Sequence, residues 1–164
     1  MIRALTDDDL EIYVAIRREA LLDAPLAFAA SPDDDFASSV KDLSVQLKKA
    51  PDWMIFGAFE DRLIGTVGLI RDRHVKAAHK MHLWGMYVTP SARGRGVAAA
   101  LLQGALDHCR ATEGVEWVFL GVTSAAAGAR RLYERAGFEV WGTEPDALRE
   151  GNQSVVEHRM ALRL

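Results

Sequence analysis

The sequence predicts an α/β (α+β) fold in which helices pack against a central sheet of mixed strand direction. Apolar, β-type runs alternate with stretches of helical periodicity along the 164-residue chain. Two of the β-type runs, Trp53 to Glu60 and Leu63 to Arg71, are separated only by Asp61-Arg62, a spacing that requires an antiparallel hairpin. A third β-type run, Met81 to Val88, leads through Pro90, Gly94 and Gly96 into an amphipathic stretch, giving a strand-turn-helix unit.

Taken in order, Ile2 to Leu5 is an edge strand, and Thr6 with Asp9 three residues on starts a helix. Leu10, Tyr13, Val14, Ala20 and Leu21 recur at helical spacing until Asp23-Ala24-Pro25. Leu26 to Asp35 mixes Pro, Ser and acidic residues and predicts a loop, and Ser38 to Lys49 predicts a second helix. After the hairpin, Asp72 to Lys80 is polar and predicts a wider loop before Met81 to Val88. Val97 to Arg110 carries an apolar stripe of Ala98, Leu101, Leu102, Ala105 and Cys109. Val115 to Val122 is nearly all apolar, the pattern of a central strand covered on both faces. Ser124 is placed to cap a helix running to Arg135 and Gly137 to end it. Phe138 to Trp141 and Val155 to Leu164 are closing strands, joined by a polar segment containing Pro145 and Gly151.

Length and composition place all of this in one domain, residues 1–164. The chain is 49% hydrophobic and 26% charged with a net charge of −3, which excludes fibrous or disordered classes and leaves no basic footprint for nucleic acid. The single Cys109 has no partner for a disulfide or a zinc ribbon, which suits a reducing compartment. The first residues lack the basic flank and apolar core of a signal peptide, and no apolar run reaches the roughly 18 residues of a spanning helix. A cytoplasmic protein without membrane contact is expected.

The strongest chemical signal is Arg93-Gly94-Arg95-Gly96-Val97-Ala98. Between an apolar strand and an amphipathic helix, the unpaired N–H groups of a first helical turn form an anion site. Gly94 and Gly96 let the backbone approach a phosphate closely, and the helix dipole and two arginines favour negative charge. A Walker loop is excluded because no Gly-Lys-Ser/Thr follows, and the dinucleotide fingerprint lacks its third glycine.

Leu83-Trp84-Gly85-Met86-Tyr87-Val88-Thr89-Pro90 running into Arg93 to Ala98, followed by Leu132-Tyr133-Glu134-Arg135-Ala136-Gly137-Phe138, resembles the GCN5-related N-acetyltransferase (GNAT) family. The resemblance implies a mostly antiparallel sheet with one splayed strand pair and an acetyl-CoA cosubstrate as acyl donor. It assigns the CoA pyrophosphate to Arg93, Gly94, Arg95, Gly96, Val97 and Ala98. It gives the pantetheine arm to the strand edge at Met86, Tyr87 and Val88. Gly85 is a bulge site at which Met81 to Val88 parts from Val115 to Val122, and an N–H there can hold the thioester carbonyl. In the family an asparagine near the start of the last helix contacts the cofactor arm; Ala126 is the nearest match, so that side-chain contact is absent or supplied elsewhere.

Tyr133 matches the family's general-acid tyrosine, since a phenol can protonate a leaving thiolate without being ionised at rest. His82 is the candidate base, a neutral imidazole near pH 7 on the strand leading to the loop, with Glu60 as its rival. The other histidines show no ligand spacing, so no metal is expected. Phe28, Phe36, Trp53 and Trp84 are candidate walls for the acceptor, and Asp33, Asp34 and Asp35 could attract a cationic amine, although such a run is more often a solvated loop or helix start. The expected activity is direct transfer of an acetyl group to a primary amine of a small molecule or amino acid. A peptide acceptor (a protein N-terminus or lysine) and a non-catalytic acyl-CoA sensor are the alternatives, and a homodimer is a possible assembly.

Overall fold

The computed structural model describes residues 1–164. The strands are β1 (Ile2–Ala4), β2 (Trp53–Phe59), β3 (Leu63–Arg71), β4 (Lys80–Val88), β5 (Trp117–Thr123), β6 (Glu139–Glu150) and β7 (Gln153–Arg163). They form one seven-stranded sheet in the order β1-β2-β3-β4-β5-β7-β6, antiparallel except where β4 runs parallel to β5. The helices are α1 (Leu10–Asp23), α2 (Val40–Leu47), α3 (Val97–Ala111) and α4 (Ala127–Arg135). The succession of elements is the one the periodicities predict.

Two apolar clusters sit on opposite faces of the sheet. Leu10, Tyr13, Ile16 and Ala20 of α1 and Leu43 of α2 bury against Trp53, Ile55, Leu63 and Tyr87 on one face. Leu101, Leu102, Ala105, Leu106 and Cys109 of α3, with Tyr133 of α4 and Phe138 beyond it, bury against Val67, Leu69, Met81, Leu83, Val118 and Leu120 on the other. β3 lies between the helix layers and is buried from Leu63 to Leu69 without alternation. Gly68 makes room for Trp84 there, whose indole lies 2.1 Å from where a Cβ would stand.

The structure corrects the sequence reading in three places. Double coverage belongs to β3 and not to β5: Val118, Leu120 and Val122 are buried, while Trp117, Phe119 and Gly121 are half-buried or exposed, because the α1 and α2 layer packs on β2, β3 and Tyr87 of β4 and includes no β5 residue. Ser124 does not cap α4. Residues Ser124–Ala126 form a 3₁₀ turn, Ala126 is the N-cap, and the preceding Thr123 hydroxyl donates instead to Leu26 O at 2.7 Å. The polar segment after Trp141 is strand: β6 and β7 form a long hairpin closed by the two-residue turn Gly151-Asn152, with Gly151 at φ +55°. That positive φ favours the tight turns that join adjacent strands. Side-chain pairs such as Arg159–Glu144 at 2.6 Å lace the hairpin, which carries no apolar alternation because most of β6 is exposed.

Candidate active site

The site begins with a break in strand pairing. β4 and β5 are joined only at Lys80↔Trp117, Met81↔Val118 and His82↔Phe119. Beyond His82 the register with β3 steps from Gly68↔Trp84 to Thr66↔Tyr87, so Gly85 and Met86 together oppose Val67. That is a β-bulge, and Gly85 sits in it at φ +63°, a left-handed conformation that glycine adopts without a Cβ penalty. One extra residue also reverses the alternation of the strand. Met81, Leu83 and Val88 face α3, whereas Trp84 and Tyr87 face α1. The bulge bends β4 away from β5 and leaves the β5-facing edge of Leu83 to Val88 without a strand partner.

The loop after β4 presents its main chain. Gly94 and Gly96 lie at φ +74° and +80°, and nothing stands within 4 Å of either Cβ position. None of the backbone N–H groups from Gly94 to Ala99 has a main-chain acceptor; the first that does is Ala100, to Gly96 O at 3.0 Å. The arginine side chains are engaged elsewhere. Arg93 donates to Val88 O at 2.9 Å, pairs with Asp23 and lies over the Tyr87 ring at 5.5 Å, while the Tyr87 hydroxyl reaches Glu19 at 3.0 Å. Arg95 pairs with Glu60 at the β2–β3 turn, so Glu60 is an ion-pair partner. The positive character of the loop therefore resides mainly in its N–H groups and the dipole of α3.

A cleft of about 980 Å³ connects this loop to the splay. Met86, Tyr87, Val88, Arg93, Gly94, Gly96, Val97, Ala98 and Ala126 all line it, and Arg95 does not. Its far wall adds Leu102, Gln103 and Arg135, which the sequence reading missed. Leu102 was hidden in the core stripe of α3. Arg135 could have been found as a last-turn cation of α4; its Nε donates only to Arg131 O at 3.2 Å.

Tyr133 and His82 lie on opposite faces of the sheet, and neither is among the residues that line the cleft. Tyr133 is 4% exposed, packed edge-on to Phe138 in the α3 and α4 layer. Its hydroxyl has no partner within the protein and is not sealed off, since no fully buried side-chain oxygen lacks a bond. Burial pushes its phenol well above the ordinary tyrosine range, so it is protonated. His82 lies on the α1 face at the last position where β4 pairs with β5. It is tilted against Phe119 at 5.8 Å, and Asp72 Oδ2 is 3.7 Å from its Nε2. Desolvation holds its imidazole below the usual value against the opposing pull of Asp72, so it is neutral at pH 7. Cys109 is fully buried, and burial pushes its thiol up to about 12.

On the acceptor side the acidic run orders its own loop and starts the short helical turn after it. Asp35 is buried and bound by Arg17 of α1, with Nη2 at 2.9 Å and Nε at 3.2 Å, and Asp34 accepts from Ser31 N at 2.6 Å. These carboxylates order the loop, and two of the three are not free to attract an amine. Phe28 lines the cleft and lies under the Arg17 guanidinium at 5.2 Å. Phe36 packs edge-on to Trp84 at 5.3 Å. Trp53 is a core residue, 5% exposed and packed against Trp84.

Comparison with known proteins agrees with this geometry. A family model described as the acetyltransferase (GNAT) family matches residues 13–138. A mycothiol acetyltransferase of Beutenbergia cavernae is 34% identical over 117 residues, covering 68% of this chain and 37% of the relative. The chain spans 37–42% of the length of the curated relatives it matches. Among solved structures, a GNAT-family acetyltransferase from Streptococcus pneumoniae superposes with a TM-score of 0.89 at 17% identity, covering 100% of this chain and 99% of that one. A phosphinothricin acetyltransferase from Sinorhizobium meliloti, in complex with acetyl-CoA, superposes with a TM-score of 0.84 at 20% identity, covering 100% and 88%.

Proposed function

The chain belongs to the GNAT family of acetyltransferases, and we propose that it transfers an acetyl group from acetyl-CoA directly to a primary amine of a small molecule or amino acid. The observation that carries this is the juxtaposition of a strand splay with an unsatisfied glycine-rich helix N-terminus along one cleft. Those parts match an acyl-CoA in order: N–H donors for a pyrophosphate, a free strand edge for an amide-bearing arm, and an opening at Gly85 for the thioester. The relatives' name, mycothiol acetyltransferase, supports a small-molecule acceptor over a protein one.

In this reading the N–H groups of Gly94 to Ala99 hold the pyrophosphate, and Arg135, free of an acidic partner, supplies a cation at the far wall for a further phosphate. The edge of Met86, Tyr87 and Val88 pairs with the pantetheine amides, and Ala126 offers backbone and space in place of a side-chain contact. His82 accepts the proton released by the amine as its nitrogen bonds to the carbonyl carbon. Tyr133 gives a proton to the sulfur as the carbon–sulfur bond breaks. Transfer is direct because the one cysteine is buried and un-ionised at neutral pH.

Acetyl-CoA should raise the melting temperature, and at 100 times its Kd the stabilisation is about 2.7 kcal/mol. It should also release thiol in the presence of an amine. A protein unmoved by millimolar acetyl-CoA would end this reading. The base is tested separately. Activity requires neutral His82, so kcat/KM should fall as pH drops through a pKa below the ordinary imidazole value, and His82→Gln should abolish that acidic limb. A limb that persists in His82→Gln assigns the proton to another group.

A further inference from the structure

Arg17 stands where a charged side chain is costly, in the buried stripe of α1 beside Tyr13, Ile16, Ala20 and Leu21. Its side chain is 9% exposed and that of Asp35 is 4% exposed. Asp35 takes Nε and Nη2 but leaves Nη1, which has no partner in the protein. The rings of Phe28 and Phe36 lie 5.2 Å and 6.0 Å from the guanidinium carbon and help fix its plane. Nη1 is 3.6 Å from the Cβ position of Gly85 and, leaving aside the chain neighbours of that glycine, is the only atom within 4 Å of it. A buried guanidinium, locked on one edge, thus extends its free N–H groups into the space beside the splay.

The facing strand carries the opposite charge. Gly121 of β5 has the Glu157 carboxylate packed over it, 2.7 Å from where a Cβ would stand. Glu157 is anchored by Arg159 at 2.9 Å, and its side chain is 21% exposed. Gly121 and Gly85 follow the last β4–β5 pair, His82↔Phe119, on the two diverging strands. The α1-side mouth of the splay is therefore flanked by a cation over one glycine and an anion over the other.

We propose that the acceptor is an amine bearing a carboxylate on the adjacent carbon, a free α-amino acid. Its carboxylate binds Arg17 Nη1, and its amine is drawn to the Glu157 side before transfer. This rests on the acetyltransferase reading above and narrows its substrate class. An arginine held by a second carboxylate is pre-organised, so binding an anion loses little further side-chain freedom. A carboxylate at Nη1 leaves an amine one carbon away, beside the Gly85 opening where the thioester is expected.

The test is a thiol-release assay with acetyl-CoA against the common α-amino acids and, for each, its carboxamide, which keeps the amine and removes the negative charge. The acid should be preferred by about tenfold or more in kcat/KM for the best acceptor, the worth of a charge-assisted hydrogen bond. Arg17→Lys, which keeps the charge opposite Asp35, should collapse that ratio to within about threefold through a raised KM for the acid. Carboxamides used as well as acids would overturn the carboxylate assignment and leave the acetyltransferase reading standing. An Arg17→Lys protein that loses both substrates in equal proportion would show that Arg17 only supports the fold and would overturn it as well. No release with any amine, acid or carboxamide, defeats both readings.

Discussion

Replacing Tyr133 with phenylalanine is expected to lower kcat by about 10²- to 10⁴-fold, the usual contribution of a positioned general acid, with little change in the Kd for acetyl-CoA. The hydroxyl makes no bond inside the protein and the ring sits in the core against Phe138. The substitution therefore removes no structural hydrogen bond and opens no cavity, and stability should stay within about 0.5 kcal/mol of wild type. Loss of turnover can then be assigned to chemistry and not to unfolding. The pH profile gives a second check. A phenol pushed well above its ordinary range by burial stays protonated through neutral pH, so the alkaline limb of kcat should lie high. Full turnover of Tyr133→Phe at saturating substrate would remove the acid role.

The second large effect is on binding. Alanine at both Gly94 and Gly96 should raise the Kd for acetyl-CoA by about 10²-fold or more, measured by titration calorimetry. Both positions have φ in the left-handed region, where a Cβ costs about 1–2 kcal/mol per residue. The loop would relax and turn its N–H groups away from the phosphates. Losing two charge-assisted bonds of about 1.5–3 kcal/mol each accounts for the change. Because nothing lies near either Cβ position, the protein itself has no clash to resolve and should remain folded. Arg95→Ala is the contrast, expected to change Kd by less than about fivefold, since its exposed side chain pairs with Glu60 and stands off the cleft. A larger loss from Arg95→Ala than from the glycine pair would show that side-chain charge, and not backbone geometry, holds the phosphates.

Much of this fold was legible in the order of residues because the relevant patterns are local. The hairpin of β2 and β3 follows from a two-residue gap between β-type runs, α3 from its apolar stripe after two glycines, and the end of α4 from Gly137, found at φ +96°. Order that comes from partners distant in sequence leaves no such local pattern. β6 has no period-two pattern, since most of it is exposed, and it exists because β7 supplies its hydrogen bonds and ion pairs. The misassigned coverage of β5 has the same origin. An apolar run looks alike whether helices cover it on one face or two, and only the placement of α1 and α2 over β2 and β3 leaves Trp117 and Phe119 open.

By itself the sequence determined the glycine-rich start of α3, because backbone conformation and residue type are properties of the chain at each point. Only the tertiary structure decided how charges would be used. Arg93 and Arg95, Glu60, and two of the three aspartates before Phe36 are spent on ion pairs or backbone bonds. Pairing depends on which side chains folding brings within a few ångströms, and the ion pairs join residues 18 or more apart in the chain, which give no sign of it. The same contacts leave Arg17 Nη1 free beside Gly85 and set Glu157 over Gly121. A charge on the buried face of α1 reads in one dimension as a flaw in a helical stripe, and in three dimensions its Nη1 stands 3.6 Å from the Cβ position of Gly85.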